Sequence, residues 1–115
     1  MGQYINLNVL SEMTRGDSDF IKEMIQTYLD SAPADFEKLK KEFEAGDIES
    51  LGKTAHKMKG ATRSMGIVGH ELLFTIEQIG KGNHPKSELG SVYDEFTRLF
   101  PKIIDELQNE KENNE

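Results

Sequence analysis

One histidine in this 115-residue sequence is surrounded by basic residues at helical spacing. From Asp47 to Gly66, apolar and small residues recur at intervals of three and four, which is the pattern of one buried helix face. The positions on this face are Leu51, Ala55, Met58, Thr62 and Met65. At about 100° per residue, His56 lies roughly 140° from the centre of that stripe. The pattern therefore predicts that the His56 imidazole faces solvent.

The surface around His56 is basic although the chain carries a net charge of −7. Four basic residues lie on or beside this face within two turns of the histidine: Lys53, Lys57, Lys59 and Arg63. Gly60, one turn after His56, has no side chain, and a glycine inside a helix costs about 1 kcal/mol relative to alanine. We interpret Gly60 as a gap that lets another molecule come close to the imidazole.

An unprotonated imidazole nitrogen is a nucleophile near neutral pH, so His56 is a candidate acceptor of a phosphoryl group. Phosphorylation adds about two negative charges to a side chain. An ammonium group at about 4 Å contributes about 1 kcal/mol in water and up to about 4 kcal/mol in a partly screened site. Lys59 is best placed for this, and the other basic residues would steer an acidic partner. Each feature alone is common on protein surfaces, so the hypothesis depends on their combination.

The elements that must position these residues are helical almost throughout. Helices are predicted over about 7–14, from Asp17 or Ser18 to Pro33, from Pro33 to Gly46, over 48–65, from Gly69 to Gly80, and over 86–107. Pro101 should kink or split the last of these. Short connections favour an all-α fold, an antiparallel up-down four-helix bundle with a short N-terminal helix or helices covering one end. We expect one domain over 1–115 with a frayed tail at 108–115.

Length and composition exclude several classes of protein. A chain of 115 residues has no room for a nucleotide-binding catalytic domain beside such a bundle. The sequence contains no cysteine and no apolar run of membrane-spanning length, and its first residues lack the pattern of a signal peptide. The net charge of −7 disfavours nucleic acid and anionic membranes as partners. We therefore expect a cytoplasmic protein without a thiolate metal site.

The run Ala-His-Lys-Met-Lys-Gly at 55–60, followed by Gly66, resembles the signature of histidine-containing phosphotransfer (HPt) domains of bacterial and fungal phosphorelays. The flanking segments are also similar to that family over about 4–108. They are Leu7 to Leu10, Asp19 to Ile21, Leu39 to Ala45 and Leu72 to Glu77. Met58 departs from the family, in which leucine is commoner, but this change conserves volume. The resemblance implies the same helical bundle and a role in relaying phosphoryl groups.

The resemblance also implies a role for each matching residue. His56 would be the phosphoacceptor, Lys59 the lysine beside the phosphoryl group, and Gly60 the small residue that admits the partner. Gln78 would match the glutamine of the next helix that commonly hydrogen-bonds the acceptor. The basic rim, by which we mean Lys53, Lys57 and Arg63, would contact the partner.

The implied partner is the receiver domain of a response regulator, a hybrid sensor histidine kinase, or both. The receiver would supply the aspartate and the Mg²⁺-binding carboxylates. The chain itself would need no metal or other cofactor and would be a phosphoryl carrier rather than an enzyme. A monomer is expected, because one acceptor helix needs no second chain.

Three other interpretations of the sequence compete with a phosphotransfer function. The pair His70-Glu71 faintly resembles the phosphoacceptor of a histidine kinase, but the downstream proline and arginine of that motif are missing. A metal-carboxylate bundle would need an acidic residue three positions before a histidine, and those positions hold Lys53, Ile67 and Lys81. The third reading is a helical docking bundle in which His56 has no chemical role.

Overall fold

A computed structural model of the chain describes residues 4–113, without the side chains at 7, 10, 13 and 113. The helices are α1 (Leu7–Thr14), α2 (Ser18–Ala45), α3 (Ile48–Ser64), α4 (His70–Gly80) and α5 (Leu89–Asn113), with a 3₁₀ turn over Lys86–Glu88 before α5. α2 and α4 each pack against both α3 and α5, while α1 packs on α2. The expected all-α helical bundle is therefore confirmed.

Asparagine and aspartate side chains cap the N-termini of the first three helices. Asn6 accepts a hydrogen bond from the backbone of Asn8, and Asp17 accepts from the two residues that follow Ser18. Asp47 accepts from the backbone of Ser50. Each such cap stabilises a helix by about 1 kcal/mol, because it satisfies a donor that the helix itself cannot pair.

Neither internal proline divides a helix, so the predicted break at Pro33 was wrong, and Pro101 does not split the last helix. Pro33 lies inside α2 and Pro101 lies inside α5. A proline removes one backbone donor, but the residues just before these prolines, Ala32 and Phe100, are buried in the core. Packing of the long helices on both sides of each proline outweighs the single lost hydrogen bond.

The last helix extends further than predicted. α5 continues to Asn113, beyond the predicted end near residue 107. Glu110 is only 8% exposed, and Lys111 donates a hydrogen bond to Gln26 on α2. These contacts hold the final turns of α5 against the bundle.

The predicted core face of α3 is buried at all five of its positions. The apolar residues of this face belong to one hydrophobic core with aromatic and aliphatic side chains of the other bundle helices, which includes the ring cluster of Phe36, Phe96 and Phe100. A hydrogen bond of 2.9 Å between the hydroxyls of Tyr28 and Thr62 crosses this core. Within 4–113, none of the helices combines the length and the apolar character needed to cross a membrane.

The segment before α1 fixes the connection between α3 and α4. Ile5 and Ile67 form an isolated antiparallel bridge, and both are buried. The amide of Asn6 donates to the Gly66 carbonyl at 2.7 Å, and Val68 donates to Tyr4 at 2.9 Å. The start of α4 is thereby held at a fixed place relative to the end of α3.

Candidate functional site

His56 lies on α3 with 65% of its side chain exposed, as the helix geometry predicts. Its Nδ1 atom is 2.7 Å from Oε2 of Glu77 on α4. The ring is therefore accessible to another molecule and yet fixed by a contact from the neighbouring helix.

Glu77 is a buried carboxylate, with 3% of its side chain exposed. Besides His56, it contacts Nζ of Lys59 at 2.6 Å through Oε1 and Nζ of Lys81 at 3.1 Å through Oε2. Burial alone would raise the pKa of Glu77, but the hydrogen bonds from Lys59, Lys81 and His56 outweigh burial and lower this pKa to about 2. Glu77 is thus ionised at neutral pH.

The ionised Glu77 determines which nitrogen of the His56 ring carries the proton. A carboxylate can only accept hydrogen bonds, so the 2.7 Å contact requires a proton on Nδ1. In the neutral ring the lone pair is then on Nε2. Because the two nitrogens are on different edges of the ring, Nε2 is directed away from Glu77, and its lone pair is available to another molecule.

The residue that contacts the ring is Glu77, not Gln78, so the hydrogen bond expected from Gln78 to His56 was wrong. Leu73, Ile76 and Glu77 form the buried face of α4, and Gln78 is about 100° further round the helix. The Gln78 side chain instead accepts a hydrogen bond from Asn83 at 3.2 Å.

Sequence reasoning missed Glu77 although a signal was present. A charged residue beside Ile76, on the apolar face of an amphipathic helix, is buried, and buried carboxylates need partners. Lys81, one turn after Glu77, was also missed as a site residue. Its side chain is 58% exposed, so it reaches Glu77 from the solvent side of the cluster.

Lys59 lies next to the imidazole, where the sequence places it. Its side chain is 20% exposed, and Nζ is 5.2 Å from the centre of the Phe74 ring. Phe74 is itself 49% exposed. The ammonium is therefore held between the Glu77 carboxylate and an aromatic face at the edge of the site.

The basic rim is less uniform than predicted. Lys53 borders the same groove as His56 and lies 3.6 Å from Glu49 on its own helix. Lys57 is bound instead to Asp35 of α2, at 3.1 Å. Arg63 borders a separate depression near the connection between α3 and α4. Of the three, Lys53 is the residue closest to the groove beside the imidazole.

Gly60 is exposed on α3, one turn from His56. A Cβ atom added there would meet nothing within 4 Å. The bundle itself therefore does not require glycine at this position, and the role of Gly60 in admitting a partner stays a prediction.

A groove of about 570 Å³ separates the exposed faces of α3 and α4 beside the imidazole. Its lining residues are Glu49, Gly52, Lys53, His56, Glu77, Gly80 and Lys81. No group of three or more histidine, aspartate or glutamate side chains among the described residues is arranged to hold a metal ion. The chemical groups at the groove are the His56 imidazole, the buried Glu77 carboxylate, the exposed Glu49 carboxylate and the ammonium groups of Lys53 and Lys81.

A helical bundle that presents a fixed, accessible imidazole beside lysines defines the class of histidine phosphotransfer domains. The sequence model of the Hpt domain matches residues 23–110, and the chain belongs to this family. It is accordingly a histidine phosphotransfer protein of phosphorelays, a phosphocarrier that interacts with receiver and kinase domains of two-component systems.

The fold is similar to that of a solved relative. The crystal structure of histidine-containing phosphotransfer protein B (HptB) from Pseudomonas aeruginosa PAO1 superimposes with a TM-score of 0.84. The alignment covers 98% of each chain at 18% sequence identity. No curated protein matches the sequence.

Proposed function

We propose that His56 is the phosphoacceptor and that its Nε2 atom takes a phosphoryl group from a receiver-domain aspartate and passes it to another. The observation that carries this proposal is the 2.7 Å contact of Nδ1 with Glu77 in a ring that is 65% exposed. This contact supports a single tautomer with the lone pair toward solvent.

The transfer step needs no general base from this chain. The Nε2 lone pair attacks phosphorus, the N–P bond forms as the P–O bond to the aspartate breaks, and the carboxylate leaves with the bonding electrons. Nε2 carries no proton in the reactive tautomer, so none has to be removed. The ring becomes positively charged as the bond forms, and the Glu77 carboxylate at Nδ1 stabilises that charge.

Two lysines are available for the negative charge that arrives with the phosphoryl group. Lys59 would assist electrostatically, as the sequence predicts, and Lys81 is a second cation on the same carboxylate. Each ammonium group would turn from Glu77 toward a phosphoryl group on Nε2. Glu77 takes the orienting role that we first expected of Gln78.

The partner would supply the remaining groups. The receiver domain brings the aspartate and the carboxylates that bind Mg²⁺, so this chain needs no cofactor of its own. Gly60 would leave space for the receiver to approach, and the basic rim would attract its acidic surface. All groups at the site come from one chain, so we expect a monomer to be sufficient.

The test is to mix the protein with a phosphorylated receiver domain and Mg²⁺ and to measure acid-labile phosphate on the protein. His56→Gln should remove this label completely. The matched controls are His70→Gln and His84→Gln, which change the other two histidines of the chain and should keep the label. Equal labelling of His56→Gln and the unaltered protein would refute the assignment.

A further inference from the structure

α3 and α4 touch backbone to backbone at two glycines next to the site. A Cβ atom added to Gly80 would lie 2.7 Å from Cα of Gly52 and 3.0 Å from the carbonyl oxygen of Ile48. A Cβ atom added to Gly52 would lie 2.9 Å from Cα of Gly80. No side chain fits between the helices at this point.

This contact is one helical turn from the bond that fixes the imidazole. His56 lies four residues after Gly52 on α3, and Glu77 lies three residues before Gly80 on α4. Residues at these spacings share a helix face, so the two pairs are neighbours along the same helix–helix contact. The distance between the helices at the glycines therefore sets the distance that Glu77 has to bridge.

We propose that Gly52 and Gly80 are positioning residues of the phosphotransfer site, which hold α3 and α4 close enough for Glu77 to bind Nδ1 of His56. The effect on phosphoryl transfer rests on the function proposed above, whereas the effect on the ring does not. Ordinary contact begins at 3.4 Å, so a methyl group at either glycine separates the backbones by at least about 0.5 Å. The 2.7 Å hydrogen bond would then lengthen to the edge of the range for such bonds.

The matched variants are Gly52→Ala and Gly80→Ala, with Gly90→Ala as the control. Gly90 is also a helical glycine, but a Cβ atom there would meet nothing within 4 Å. The ¹⁵N chemical shifts of the His56 ring report which nitrogen carries the proton when the ring is neutral. We expect the Nδ1–H tautomer in the unaltered protein and in Gly90→Ala. In Gly52→Ala and Gly80→Ala, the population should shift toward the Nε2–H tautomer.

The rate of transfer from a phosphorylated receiver should fall by several-fold to about tenfold in Gly52→Ala and Gly80→Ala, because a hydrogen bond to a charged group is weakened in the reacting ring. Gly90→Ala should transfer at the unaltered rate. If the ring responds as expected but the unaltered protein accepts no phosphate from any receiver, the proposed function fails and the positioning role stands.

Several results would overturn the positioning role. The first is that Gly52→Ala and Gly80→Ala fold and match Gly90→Ala in both the ring tautomer and the transfer rate. A second is a changed tautomer with an unchanged rate. A third does not depend on how the variants fold: the unaltered protein should give a nuclear Overhauser effect between the Hα protons of Gly52 and Gly80, and its absence would contradict the contact itself.

Discussion

At the scale of single residues, the site depends on a buried carboxylate that accepts hydrogen bonds from two lysines and one histidine. Glu77 would be costly to bury alone, and its contacts with Lys59, Lys81 and His56 offset that cost. The same contacts give the imidazole a fixed orientation and a fixed tautomer. A residue that stabilises the fold therefore also prepares the nucleophile.

Removing the Glu77 carboxylate should slow phosphoryl transfer. Glu77→Ala deletes the acceptor of the Nδ1 proton, and we expect the single-turnover rate from a phosphorylated receiver to fall about tenfold or more. Glu77→Gln keeps an oxygen that can accept this proton but loses the charge, so its loss should be smaller. Equal rates for Glu77→Ala and the unaltered protein would show that the contact has no role in transfer.

Glu77 should also make stability depend on pH in a defined window. Its pKa in the folded protein, about 2, is below the ordinary value of 4.5, so its contribution is fully present above pH 4.5. That contribution is lost as the pH falls from about 4.5 to about 2. The free energy of unfolding, measured by denaturant titration at each pH, should therefore decline more steeply for the unaltered protein than for Glu77→Gln. Parallel curves for the two proteins would contradict the assignment.

At the scale of elements, α3 combines a closely packed face with a face that is open at one point. Gly52 meets the backbone of α4, whereas Gly60, two turns later, meets no other group. Glycine is therefore favoured for different reasons at the two positions. An added methyl group should lower the stability of the fold at Gly52 and raise it at Gly60.

Gly60→Ala should stabilise the bundle and impair transfer. Alanine favours a helix over glycine by about 1 kcal/mol, and the space at this position is open. Thermal unfolding should therefore move to a higher temperature, while the second-order rate of phosphoryl transfer falls because the methyl group lies where the partner approaches. Gly90→Ala is the control for stabilisation without loss of transfer. An unchanged transfer rate in Gly60→Ala would remove the access role.

The sequence predicts some features of the helices that form the site but not others. The α3 stripe and its caps follow from local spacing and side-chain chemistry, so both the helix and the outward direction of His56 were predicted. The continuity of α2 through Pro33 was not, because it depends on packing against helices that are distant in sequence. Glu77 was missed for a similar reason, since its lysine and histidine partners come together only when α3 meets α4.

At the scale of the whole molecule, a basic site is placed on an acidic chain. The net charge of −7 repels anionic surfaces in general, whereas around His56 three lysines (Lys53, Lys59 and Lys81) outnumber two carboxylates (Glu49 and Glu77). Such an arrangement favours encounter of an acidic partner in one orientation.

Charge reversal in the basic rim should change association more than chemistry. Lys53→Glu should lower the association rate with a phosphorylated receiver several-fold and weaken its dependence on salt, because this side chain borders the groove. Lys57→Glu should have a smaller effect, since Lys57 is already paired with Asp35. Lys102→Glu, on α5 away from α3, is the control for net charge. Equal effects of all three variants would mean that overall charge, not the basic rim, steers the partner.

The most direct test of the account is to identify the atom that carries the phosphoryl group. ³¹P and ¹⁵N NMR of the phosphorylated, ¹⁵N-labelled protein should show phosphorus coupled to Nε2 of His56, with Nδ1 still bearing its proton. Phosphorus on Nδ1, or on a residue other than His56, would contradict the account.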